Sequence, residues 1–147
     1  MPGRSRGAGS ARVGAGVAVV AGGQVLLVRR RDNGLWDIPG GAVMAGEVVE
    51  VAACRELQEE TGLVLAVQAV KLLGVFSGPQ HRHTYPDGNT VDWVTVLYGA
   101  QLPLQLSVQG GDDAAEARWW PLDALPSSLS QATQAYLHAL PAPGASA

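Results

Sequence analysis

Five glutamates, Glu47, Glu50, Glu56, Glu59 and Glu60, fall within fourteen residues that are otherwise mostly small and apolar. Like charges at such spacing destabilise an isolated helix, so their crowding calls for a positive counterpart. On a helix advancing about 100° per residue, Glu56, Glu59 and Glu60 share one face, while Ala53 and Leu57 form an adjacent strip able to pack inward. Arg55 is the one cation in this run. So dense a set of hard oxygen ligands suits Mg²⁺ or Mn²⁺, which keep several waters and bind through carboxylates together with substrate phosphates. A solvated acidic helix face is the plainer alternative, and it predicts no metal requirement. Just upstream, Gly40 and Gly41 predict a tight, exposed turn whose carbonyls can reach a cation.

Positioning these groups requires a helix over 47–61, closed by Gly62 in the left-handed conformation. VGAGVAVVA (13–21) and GGQVLLV (22–28) read as strand, Gly22-Gly23 turn, strand. RRRDNGLWDIPGG (29–41) carries Gly, Pro, Asn and Asp and reads as mostly loop. Residues 64–78 are β-rich, 79–89 are turn-rich, 90–102 alternate as a strand, 116–122 form a further short strand and 128–140 a terminal helix. Two helices around four or five strands point to an α/β sandwich. The expected domain covers 12–140, with tails at 1–11 and 141–147.

The chain has 147 residues, 47% of them hydrophobic, which suits one domain with a sizeable core. Its formal net charge of -3 and the lack of a long basic run argue against polymeric nucleic acid as a partner. Arg4, Arg6 and Arg12 precede an apolar run, but that run is short and Gly-interrupted, unlike a signal-peptide core. Nothing approaches the roughly 20 apolar residues of a membrane span. The lone cysteine, Cys54, reads as a small core residue and excludes an internal disulfide, which suits a reducing cytoplasm.

Gly41, five residues, Glu47, seven residues, then Arg55-Glu56-Leu57-Gln58-Glu59-Glu60-Thr61-Gly62-Leu63 match the Nudix box at each of its nine fixed or restricted positions. The lead-in WDIPG at 36–40 also resembles the usual approach to that box. The resemblance implies a Nudix-type α/β/α sandwich with a mixed β-sheet. It further implies metal-dependent hydrolysis of a nucleoside diphosphate linked to another moiety, in the MutT-like manner. Metal ligands are then expected at the Gly41 carbonyl, Glu56, Glu59 and Glu60, with Glu56 also the first candidate for the base that accepts the water's proton. Arg55 and Glu47 become the supporting pair. Some family members use a loop acid instead; GGDDAAEARWWPL at 110–122, with Asp112, Asp113 and Glu116, resembles that acidic loop leading into an aromatic-rich strand, and Asp113 and Glu116 are the better-placed candidates for an extra metal ligand or base.

Substrate choice falls to residues outside the box. The stretch 76–93 holds His81, His83, Arg82 and Tyr85, groups able to contact phosphate or stack on a base. Arg82 and Tyr85 are the preferred substrate-binding candidates, whereas the two histidines are expected to be solvated. Pro79 lies sixteen residues beyond Leu63, a spacing that resembles a marker of ADP-ribose-cleaving members. ADP-ribose-like compounds and nucleoside triphosphates both stay open as small-molecule substrates, and so does a homodimer. The alternative from another class is a non-catalytic Nudix-fold nucleotide sensor, for which eroded box glutamates are expected; here Glu47, Glu56, Glu59 and Glu60 are all present.

Overall fold

The computed structural model of the chain describes residues 10–141. Apart from Ser10, Ala11 and Pro141, the expected tails at 1–11 and 141–147 lie outside the described residues. Strand β1 (Ser10–Ala21) turns at Gly22-Gly23 into β2 (Gln24–Arg30). Both glycines have positive φ, 57° and 73°, the pair of left-handed residues that a two-residue hairpin needs to match strand twist. The stretch expected to be mostly loop contains two short strands, β3 (Trp36–Asp37) and β4 (Gly40–Ala42). Gly40 and Gly41 are therefore not a free turn. Gly16 pairs with Gly40 and Ala15 with Gly41 on β1, and glycines are required here because a Cβ on Gly40 would stand 2.7 Å from the Ala15 carbonyl oxygen.

Helix α1 (Val49–Thr61) follows. It closes at Gly62, φ 78°, whose N–H donates to the Gln58 carbonyl. The β-rich segment after it resolves into one helical turn at Val67–Ala69 and strand β5 (Lys71–Phe76). A second such turn, Pro79–His81, leads into β6 (Arg82–Thr84). Strand β7 (Thr90–Leu102), strand β8 (Ala114–Pro121) and helix α2 (Gln131–His138) complete the chain. Ser130 caps α2 by accepting a hydrogen bond from the Thr133 backbone N–H.

The sheet is mixed, with the order β3-β2-β1-β7-β5; β8 adds to β2, β6 to β7 and β4 to β1. Parallel pairing of β1 and β7 runs from Ser10↔Val91 to Ala21↔Leu102. Along β1 the alternation of side chains assigns one helix to each face. Ala15, Val17 and Val19 join Ala52, Ala53 and Leu57 of α1 in one buried cluster. Ala18 joins Trp36, Leu97 and Tyr136 of α2 in the other. This is an α/β/α sandwich, and burial of Leu57 in it accounts for the inward strip expected of the glutamate helix. No helix among the described residues is long and apolar enough to cross a membrane.

Candidate active site

Packing of Ala52, Ala53 and Leu57 drives α1 onto the sheet and takes two of its glutamates with it. Glu56 and Glu60 are 9% and 6% exposed, whereas Glu59 stays at the surface. The Glu56 carboxylate lies against the bare face of Gly41, where a Cβ would come within 2.6 Å of its oxygens. The Gly40 N–H donates to Glu60 Oε1 at 3.2 Å.

Arg55 answers the charge problem posed by the sequence. Nε donates to Glu47 Oε2 at 2.7 Å and Nη2 to Glu47 Oε1 at 2.9 Å. Nη1 donates to Glu56 Oε2 and to Glu59 Oε1, each at 3.1 Å, and Nη2 also reaches the Ala42 carbonyl at 3.0 Å. The guanidinium fork is thus fully engaged. Bonds from Arg55 and from the Met44 N–H hold Glu47 down at about 2. Burial, and to a smaller extent the charge of Glu59, pushes the Glu56 carboxyl up against a hydrogen bond with Glu60, and burial with the charge of Glu56 pushes Glu60 up further because it is the deeper. Two inward carboxyls close enough to share a proton form a site in which a cation can replace that proton.

A loop-to-helix contact completes the acidic cluster. The Gly111 N–H donates to the Glu60 carbonyl at 3.1 Å and the Gln109 N–H to the Thr61 carbonyl at 3.0 Å. The loop before β8 is thereby stitched to the C-terminal end of α1. Asp112, with φ at 53°, is the acid this loop delivers: Glu56, Glu59 and Asp112 each offer a carboxylate oxygen, all within 4.8 Å of one another. Sequence reasoning favoured Asp113 and Glu116 instead. Glu116 is turned to Arg29 at 3.4 Å across the β2–β8 pair, and Asp113 is exposed and outside the cluster. The hard oxygens of Glu56, Glu59 and Asp112, with the buried Glu60 carboxyl beside Glu56, are a set that could hold a divalent cation.

The cluster opens into a cavity of about 490 Å³ whose wall includes Gly41, Glu56, Glu60, Asp112, Arg12 and Trp93. Arg12 lies over the Trp93 ring, 5.5 Å from its centroid, the two facing each other across the β1–β7 register. Asp37, inside the WDIPG lead-in, also lines this cavity. Burial raises its pKa, against the hydroxyls of Ser130 and Thr133, which both donate to Oδ1. Sequence reasoning passed over Asp37 and Arg12 as site residues and placed Asp112 behind its loop neighbours; the acidic residue between Trp36 and Ile38 is the available signal for the first.

The substrate candidates divide. Arg82 lines the cavity but is committed to Asp92, with bonds of 2.7 and 3.2 Å. Tyr85 meets the edge of His83 at 4.4 Å between ring centroids, and His83 Nε2 lies 3.1 Å from Asp32 Oδ2. The expectation that His81 is solvated is overturned, because it is buried. Trp36 and Trp120 pack edge-on in the core, 5.1 Å apart.

The NUDIX domain model matches residues 10–141. An ADP-ribose pyrophosphatase of Methanocaldococcus jannaschii is 40% identical over 108 residues, 70% of this chain and 57% of that protein. A putative 8-oxo-dGTP diphosphatase of Bacillus subtilis is 51% identical over 59 residues, 40% of this chain and 38% of that protein. The chain therefore spans about half the length, or less, of these curated relatives. The crystal structure of a MutT NUDIX hydrolase from Burkholderia pseudomallei superposes with a TM-score of 0.74 at 32% identity, covering 89% of this chain and 98% of that one. A complete box, a helix-borne carboxylate cluster and a sandwich shared with that hydrolase have one explanation: the chain belongs to the NUDIX family.

Proposed function

We propose that the chain is a divalent-metal-dependent hydrolase that cleaves the pyrophosphate linkage of a small nucleotide derivative. The observation that carries this reading is the convergence of Glu56, Glu59 and Asp112 within 4.8 Å, with Glu56 and Asp112 on the wall of a nucleotide-sized cavity. Mg²⁺, with Mn²⁺ as its substitute, is the cation assigned, and the cytoplasm is the setting. The names ADP-ribose pyrophosphatase and 8-oxo-dGTP diphosphatase borne by relatives support a phosphoanhydride substrate and leave ADP-ribose-like compounds and nucleoside triphosphates both open.

When bound, the cation neutralises phosphate oxygens and lowers the pKa of a water. The chain's own groups do the rest. Arg55, anchored on Glu47, fixes the Glu56 and Glu59 carboxylates in one orientation, so that no reorganisation accompanies the reaction. Glu56, held against Gly41 and raised in pKa by burial, accepts the proton of the attacking water.

Release of phosphate products from a panel of ADP-ribose and nucleoside triphosphates, with Mg²⁺ and with chelator, tests the reading. Metal-dependent turnover of at least one compound is the expected result. Tight nucleotide binding without turnover would replace the hydrolase with a sensor.

A further inference from the structure

The β2–β8 ladder ends at Arg30↔Ala114, and one residue further on the Arg31 backbone N–H donates to the Asp113 carbonyl at 3.1 Å. The Arg31 side chain, exposed at the surface, turns to the same loop: its Nε donates to the Asp112 carbonyl at 3.0 Å. One residue thus holds two successive carbonyls of the loop that delivers Asp112.

Asp112 needs such a restraint. It follows Gly111 in a turn that the Ala114 N–H closes onto the Gly111 carbonyl at 2.9 Å, and its φ of 53° is a conformation that a residue with a side chain keeps only where its surroundings impose it. On one side those surroundings are α1. Gly111 donates to the Glu60 carbonyl and lies so close to the helix that a Cβ would stand 2.7 Å from the Glu59 carbonyl oxygen. On the other side stands Arg31. With Gly111 tied to α1 and the Asp112 carbonyl tied to Arg31 Nε, the direction of the Asp112 Cα–Cβ bond is set, and with it the aim of a carboxylate that comes within 4.8 Å of those of Glu56 and Glu59.

On charge alone, Arg31 is an unfavourable neighbour for a cation. Its guanidinium is permanently positive, so its Coulomb repulsion opposes a divalent ion held by Asp112, Glu56 and Glu59. The bond that Nε donates acts the other way, because it keeps a ligand in place before the ion arrives. The two contributions differ in sign and are therefore separable.

We propose that Arg31 is a positioning residue for the metal site, its Nε–H holding the Asp112 carbonyl so that the Asp112 carboxylate faces Glu56 and Glu59. This rests on the reading of that cluster as a divalent-metal site. The test uses a pair of substitutions that remove the same charge and differ in one donor. Gln carries its amide nitrogen at the point along the side chain where Arg carries Nε, whereas Met has no donor there.

Mn²⁺ affinity of the full chain, without nucleotide, is measured by titration for the wild type, Arg31→Gln, Arg31→Met, Asp112→Asn and the double variant Arg31→Met/Asp112→Asn. Hydrogen exchange of the loop amides in chelator reads the order of the loop separately. Arg31→Met should bind Mn²⁺ about three- to tenfold more weakly than Arg31→Gln, the worth of one hydrogen bond, and more weakly than the wild type despite the lost repulsion. Exchange at Gly111 and Ala114 should quicken in Arg31→Met and not in Arg31→Gln. In the Asp112→Asn background Arg31→Met should change the affinity by less than about twofold, since a residue that acts through Asp112 has no ligand left to position.

Equal affinities for the Gln and Met variants, tighter binding by Arg31→Met than by the wild type, or the same weakening with and without Asp112 would overturn the proposal. Faster exchange at unchanged affinity would make Arg31 a support of the loop alone and overturn it too. Failure of the wild type to bind Mn²⁺, or undiminished binding by Asp112→Asn, would instead strike the metal-site reading itself and the proposal with it.

Discussion

Arg55 and Glu47 form a two-pronged pair, Nε to Oε2 at 2.7 Å and Nη2 to Oε1 at 2.9 Å, and the same guanidinium reaches Glu56 and Glu59. The pair thus orients two carboxylates of the proposed metal site from a position that needs no contact with substrate. Arg55→Ala should lower turnover or metal affinity by about 10- to 100-fold, the usual cost of losing a support of this kind. Its effect on stability should stay within about 1 kcal/mol, because the pair is partly solvent-exposed. Arg55→Lys should not rescue activity, since a point charge cannot reproduce the fork. An unchanged kcat in either variant would remove Arg55 from the account.

The two glycines of β4 should respond differently to alanine. At Gly41 the new methyl would collide with the end of the Glu56 side chain, which can swing away, so Gly41→Ala should fold and lose activity. At Gly40 it would meet the β1 backbone at Ala15 and Gly16, which cannot yield cheaply. Gly40→Ala should cost about 1–3 kcal/mol, the range for overpacking. Denaturant unfolding separates the two; a more stable Gly40→Ala than Gly41→Ala would contradict the packing described.

Asp112 and Asp113 offer a neighbouring pair of tests. Asn tolerates the positive φ of residue 112, so Asp112→Asn removes the charge and keeps the loop. It should weaken Mn²⁺ binding by at least about tenfold, while Asp113→Asn should leave it within about twofold of wild type. The reverse order, read by Mn²⁺ titration, would restore the sequence-based preference for Asp113.

Glu60 gives the stability a specific pH dependence. Its folded pKa is raised by burial and by Glu56, so its contribution is fully present below the ordinary carboxylate range and is lost as pH rises through the raised value. In chelator, the melting temperature should therefore fall from the carboxylate range toward neutrality, and Glu60→Gln should flatten that slope and raise the neutral-pH value. Mg²⁺, which binds the ionised form, should reverse the slope by mass action. Thermal melts across pH read all three curves, and parallel slopes for wild type and Glu60→Gln would contradict the assignment.

The local parts of this architecture were legible in the sequence, and the long-range parts were not. Glu56, Glu59 and Glu60 are related by helical spacing alone, and Gly22-Gly23 and Gly62 carry their own turn chemistry, so the hairpin and the glutamate helix could be anticipated. Asp112 could not. It reaches Glu56 through backbone bonds from residues 109 and 111 to the end of α1, a relationship with no local pattern. Pairing of β4 with β1 likewise converts an expected glycine turn into a strand. His81 and Arg82 were ranked by their chemistry, and the structure reverses their surroundings: Arg82 is occupied by Asp92, and His81 lies buried with an unpartnered nitrogen.

The most direct test of the central claim is the Mg²⁺ dependence of nucleotide hydrolysis by the wild type, Glu59→Gln and Glu60→Gln, with circular dichroism as a check on folding. Each substitution deletes a charge from the proposed metal site at nearly constant volume. Turnover should vanish for the wild type in chelator, and folded variants should lose on the order of 10²-fold or more in kcat even at saturating Mg²⁺. Full activity of both folded variants at saturating Mg²⁺, or wild-type turnover undiminished in chelator, would contradict the account.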